Sequence, residues 1–180
     1  MRKYFVYAGL LVAGALAVAA GGSLLAQSGD NGANLVKASL NGYQENPSIV
    51  TTGNGSLDLR IDTDAETIAY ELTYGDLDGG AATVAHIHIG SRATNGGVSV
   101  FLCGGPATPP CPGIGGTVSG VIAPSDVVGP ASQGVEPLSF AELVEAIRAG
   151  HTYVNVHNAR WPGGEIRGQI NNDSQRQLDQ

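Results

Sequence analysis

Three histidines and a row of amide, carboxylate and guanidinium side chains fall on strand-like spacing in this chain. The stretch ATVAHIHIG sets His86 and His88 on one face with Val84, while Ala85, Ile87 and Ile89 take the other. Near the C-terminus, YVNVHNARWPGGEIRGQI alternates in the same way. Its odd positions carry Tyr153, Asn155 and His157, then Glu165, Arg167 and Gln169; Val154, Val156, Ile166 and Ile170 occupy even ones. The turn through Trp161, Pro162, Gly163 and Gly164 folds this stretch into a hairpin. An antiparallel register centred near Trp161 sets His157 opposite Glu165, Asn155 opposite Arg167 and Tyr153 opposite Gln169, each within hydrogen-bonding reach.

Two chemistries compete for these residues. Histidines at i and i+2 of a strand can reach one ion, and His86, His88 and His157, with Glu165 as a further donor, meet the ligand count for zinc or copper. Redox activity is conceivable at such a site. Alternatively, the imidazoles hydrogen-bond to close loops or bridge sheets, with Glu165 accepting from His157 and Arg167 held by Asn155 or a carboxylate elsewhere. Half-exposed β faces carry polar residues as a matter of course, so the hairpin alone does not decide. Both readings expect His86, His88, His157, Glu165 and Arg167 to converge in space. No catalytic motif accompanies them: the chain has no G-x-S-x-G elbow, no Walker loop and no H-E-x-x-H helix. The expected class is non-enzymatic.

The elements that must position these residues are short. Val36, Ala38 and Leu40 alternate with polar neighbours, as do Leu57, Leu59 and Ile61, and then Ile68, Tyr70, Leu72 and Tyr74. GVSVFL and the segment from Thr117 to Ala123 add two more strands. The one helix signal is LSFAELVEAIRAG. Ser139 is its expected N-cap, Glu142 completes a capping box and Leu138 staples to Leu143. Phe140, Leu143, Val144 and Ile147 form the apolar stripe, and Gly150 ends it. The expectation is an all-β domain, a β-sandwich or open Greek-key barrel of about 7–8 strands with one late inserted short helix.

Composition agrees. The chain has 180 residues, with 27 glycines and only 14% charged residues, which suits a turn-rich β protein. Its net charge is −7 and no basic patch appears, which argues against nucleic acid as a partner. Arg2 and Lys3 precede an apolar run from Tyr4 to Ala26, which reads as a signal peptide or an N-terminal membrane anchor over residues 1–26. Either one places the domain outside the cytoplasm, secreted or in the cell envelope. Without residues 1–26 the chain keeps 7 basic and 16 acidic residues, so 7 − 16 = −9. Residues 27–34 form a flexible linker, the β domain spans 35–170, and residues 171–180 are a polar tail. Cys103 and Cys111 enclose GGPATPP, and in an oxidising compartment they are expected to form a disulfide.

The same motifs resemble a known family. AHIHIG, then the VSVFL strand, then YVNVH followed by PGGEIRGQI are similar to the CHRD domain, which is repeated in the animal protein chordin and found singly in many microbial secreted proteins. The opening ASLNGYQENPSIVTTGNGSLDL is similar to the start of that family. The resemblance runs from about Leu35 to Ile170. It differs at Asn158, where the family usually has threonine, and in the Cys103–Cys111 loop. Chordin sequesters bone morphogenetic proteins, so the resemblance implies a binding or structural module. The expected partner is an extracellular or cell-envelope protein, with no cofactor unless the histidines hold zinc or copper. The shared polar cluster is then His86, His88, Tyr153, Asn155, His157, Glu165 and Arg167.

Overall fold

The computed structural model describes residues 35–171. The expected signal or anchor and the linker lie outside the described residues, as does the tail from residue 172 onward. Eight strands form one all-antiparallel sheet: β1 (Leu35–Asn41), β2 (Asn54–Asp62), β3 (Thr67–Gly75), β4 (Ala82–Ile89), β5 (Val98–Cys103), β6 (Gly116–Ile122), β7 (Thr152–Asn158) and β8 (Ile166–Ile170). Among the described residues one α-helix, α1 (Phe140–Arg148), precedes β7. The strand order is β5-β4-β7-β8-β1-β2-β3-β6, and the sheet curls into a nearly closed barrel. Asn171, expected in the tail, instead exchanges two backbone hydrogen bonds with Lys37 and extends the sheet by one bridge.

Alternation decides which face is the interior. Leu57, Leu59 and Ile61 on β2 and Ile68, Tyr70, Leu72 and Tyr74 on β3 all point inward and are buried. The two terminal strands, β5 and β6, are consecutive in the chain and flank the barrel's seam. Gly120 lies opposite Tyr70 in the β3–β6 ladder, and a side chain there would collide with the Tyr70 hydroxyl at 2.7 Å. Because glycine leaves that space, Tyr70 crosses β6 and donates to the Leu102 carbonyl of β5 at 2.7 Å. Cys103 and Cys111, with Cα atoms 4.9 Å apart, form the expected disulfide in the loop that joins the two edges.

The helix buries the expected stripe, Phe140, Leu143, Val144 and Ile147. Its start differs from expectation. The Ser139 side chain makes no capping hydrogen bond to the backbone, and the Glu142 carboxylate accepts from the Glu136 amide at 2.7 Å instead. Leu138 is 64% exposed with φ of +70°, so it turns away from the helix and no staple forms. The tight turn at Pro137 and Leu138 aims the chain into α1 without the usual cap.

The last hairpin also departs from expectation. Every residue of β7 and β8 is buried, on both faces. The polar face is therefore not wet but roofed by loops. From the missing cap we predict that Ser139→Ala changes stability by no more than about 0.5 kcal/mol, whereas Leu143→Ala costs about 3 kcal/mol. Urea denaturation of both variants measures this; a loss of about 1 kcal/mol for Ser139→Ala would restore the cap.

Candidate functional site

Strands β4, β7 and β8 are neighbours, so their outward residues form a lattice. Val84 pairs with His157, His86 with Asn155 and His88 with Tyr153 across β4 and β7. Asn155 pairs with Arg167 and Tyr153 with Gln169 across β7 and β8, the register expected from the sequence. The lattice thus gathers six of the seven expected residues: His86, His88, Tyr153, Asn155, His157 and Arg167.

Each member is fixed by its neighbours. His86 packs edge-on against Phe101 and His157, with ring centroids 5.0 and 4.5 Å away. Its Nδ1 lies 3.1 Å from Nε2 of His88, and His88 Nδ1 lies 3.0 Å from the Gly96 carbonyl. His157 Nδ1 is 3.0 Å from the Pro162 carbonyl, and its Nε2 is 2.8 Å from Oδ1 of Asn155. The His88 ring stacks on Tyr153 at 4.7 Å, and the Arg167 guanidinium sits 3.4 Å over the same tyrosine ring. Arg167 donates to the carbonyls of Ser91 and Thr94 at 3.0 and 2.8 Å. Gln169 donates to the carbonyls of Gly90 and Gly150, and the Gly96 amide donates to the Tyr153 hydroxyl. The loop from 90 to 96 is thereby sewn onto the polar face.

Glu165 is the exception. Ladder pairing of β7 with β8 stops at Val156 and Ile166, so the expected contact between His157 and Glu165 does not form. The turn carries the Glu165 carboxylate away from the histidines, where it accepts from the amides of Asp78 and Gly79 at 2.7 and 3.1 Å. The Thr51 hydroxyl and the Asn158 side-chain amide also donate to it. Four donors on a fully buried carboxylate make a structural anchor for the loops around 51 and 78. They leave it no free lone pair for acid–base work on His157.

One participant was missed. Glu45, in the stretch GYQENP, is 7% exposed and stands beside Asn155 and the Gly164 backbone, where a side chain would meet its Oε1 at 2.2 Å. Its signal was an acidic residue in a loop of otherwise neutral polar type, which names no destination. Burial raises the Glu45 carboxyl to about 7, against the charge of Arg167, which pulls it down. Burial also lowers the histidines: His86 to about 3, helped by His157 and His88, and His157 to about 4, with His88 shifted in the same direction. At neutral pH the three imidazoles are uncharged.

The CHRD domain family model matches residues 36–170. This chain belongs to the CHRD domain family. No curated protein and no solved structure matches it.

Two expectations follow from the lattice. Arg167→Lys keeps the charge but loses the planar fork over Tyr153 and the paired donation to Ser91 and Thr94, and should cost about 3 kcal/mol in urea denaturation. A loss below about 1 kcal/mol would show that charge alone matters. The second concerns Glu45. Between its ordinary 4.5 and about 7 the folded state holds the extra proton, so this carboxyl's contribution to stability declines as pH rises through that window. Glu45→Gln removes the decline, so the variant should gain on the parent by on the order of 2 kcal/mol between pH 5 and pH 8. The histidines, whose values are lowered, act oppositely and cancel in the comparison. A difference between variant and parent that does not change with pH counts against a buried, proton-holding Glu45.

Proposed function

We propose that this chain is an exported, non-enzymatic CHRD module that binds an extracellular or cell-envelope protein, and that its buried polar lattice serves to hold the recognition loops rigid. The observation that carries this reading is a cleft of about 270 Å³ between the loops around 43–48 and 92–93, floored by Arg167 and Gln169. Its rim carries Tyr43, which is 68% exposed. The volume falls just short of the roughly 300–1,000 Å³ typical of small-molecule sites, so it suits one protruding side chain of a partner better than a cofactor. An exposed tyrosine on a rigid rim is a favourable anchor, because it covers much area for little lost entropy. Export is supported by the apolar N-terminal run after Arg2 and Lys3 and by the Cys103–Cys111 disulfide.

The test is a photo-crosslinking amino acid at position 43, with position 121 as control, since Val121 is 61% exposed and lies on β6, away from the cleft lining. In the native host we expect a discrete protein adduct from position 43 and none from position 121. The adduct should form with material recovered from outside the cytoplasm. No adduct at position 43, or equal adducts at both, would reject the cleft as the binding surface.

A further inference from the structure

Three buried imidazoles, each offering one ring nitrogen within 4.8 Å of the other two, form a cluster of metal-ligating groups among the described residues. Their hydrogen bonds do not balance without something further. A neutral imidazole has one N–H and one lone pair. His88 uses its N–H on the Gly96 carbonyl, which leaves its Nε2 as an acceptor, and His86 Nδ1–H fills that acceptor. One proton serves each of these two contacts. His157 differs, because its two nitrogens face two acceptors, the Pro162 carbonyl and Asn155 Oδ1. One proton cannot serve both, so a neutral His157 sets lone pair against lone pair at one of them.

Neither simple remedy works well. Turning the Asn155 amide would give His157 a donor, but Asn155 Nδ2 already donates to the Gly163 carbonyl at 3.3 Å and lies beside the Glu45 carboxyl. The turned amide would place oxygen against oxygen there. Protonating His157 would satisfy both contacts, but it would put an unpaired charge beside two other buried imidazoles. A cation held between His157 Nε2 and Asn155 Oδ1 would meet both lone pairs at once.

We infer that His86, His88 and His157 form a binding site for a divalent zinc- or copper-class cation, with Asn155 Oδ1 as the fourth donor. Carbonyl partners on Nδ1 of His88 and His157 fix their Nε2 lone pairs toward the cluster, the outer arrangement that orients histidine ligands. The 2.8 Å between His157 Nε2 and Asn155 Oδ1 and the 3.1 Å between His86 and His88 are near the roughly 3.3 Å that separates two ligands of a tetrahedral ion with bonds of about 2.0 Å. The widest separation, 4.8 Å, exceeds this. Binding therefore draws the rings inward, and His86 gives up its bond to His88 to present a lone pair. Three neutral imidazoles and an amide are ligands that zinc and copper(II) accept. Arg167, on the other side of Tyr153, opposes the cation.

The inference is tested on tag-free protein titrated separately with zinc chloride and copper(II) chloride against a competing chelator, with bound metal counted by elemental analysis. We expect one equivalent of at least one of the two metals, and a matched metal-dependent rise in Tm. Asn155→Ala should bind about tenfold more weakly, and His86→Ala or His157→Ala should abolish the site. His151→Ala, at a histidine outside the cluster, should bind like the parent. Should the cluster variants fail to fold, nitrogen-15 imidazole spectra of the parent decide: metal must shift His88 and His157 and leave His151 unmoved. Affinity weaker than about 0.1 mM for both metals, binding that survives in folded His86→Ala and His157→Ala, or shifts confined to His151 would overturn the site.

Discussion

The buried guanidinium of Arg167 is the interaction on which the rest of the polar face depends. It is 1% exposed, and an ion taken so far from water costs several kcal/mol unless its donors are met. Here they are met by main-chain carbonyls of Ser91 and Thr94, by Asn95 and by the face of Tyr153. Each partner is thereby committed to one position. Tyr153 cannot tilt without uncovering the charge, so the His88 ring stacked on it cannot tilt either. The loop from 90 to 96 cannot lift, because lifting it would strand the charge. One expensive side chain thus sets the geometry of a strand face, a loop and the imidazoles together.

The two sides of β7 show how differently a β-sheet can bury its faces. Val154 and Val156 are held by apolar contact, which is non-directional and tolerates small shifts. Tyr153, Asn155 and His157 are held by hydrogen bonds, whose strength falls steeply with distance and angle. A hydrophobic roof over the outer face would have stabilised the domain at least as well. What the polar version adds is a fixed arrangement, since few alternative packings satisfy so many donors and acceptors at once.

Period-two alternation made most of the fold legible in the sequence. Six of the eight strands carry it, while β5 and β6 were legible only as short apolar runs, and the hairpin register followed from the position of the Trp161–Gly164 turn. The convergence of His86 with His157 was readable only as a shared facing, because nothing in the sequence states that β4 lies beside β7. Glu165 misled because alternation says which side a residue starts on, while the end of the ladder at Val156 released it to follow the turn. Glu45 was invisible for the opposite reason. It lies in a loop, where no periodicity exists, and the groups it meets, Asn155 and the Gly164 backbone, lie more than 100 positions away. Ser139 shows a third limit: the capping motif is present, but Leu138 at positive φ sends the chain in from a direction the motif does not describe.

The seam between β5 and β6 bears on the protein's life before it is folded. A sheet that stops short of closing leaves two rows of unpaired amides and carbonyls, which invite pairing with another chain. In this barrel Tyr70 spans the gap through the space at Gly120, Val128 donates to Ser99 along the β5 edge, and the disulfide ties the two edges by one short loop. Two of these guards are non-covalent and exist only once the barrel has curled. The third needs an oxidant. Until both conditions are met the chain carries open templates for intermolecular strand addition, so an oxidant that arrives as the barrel closes also protects against self-association.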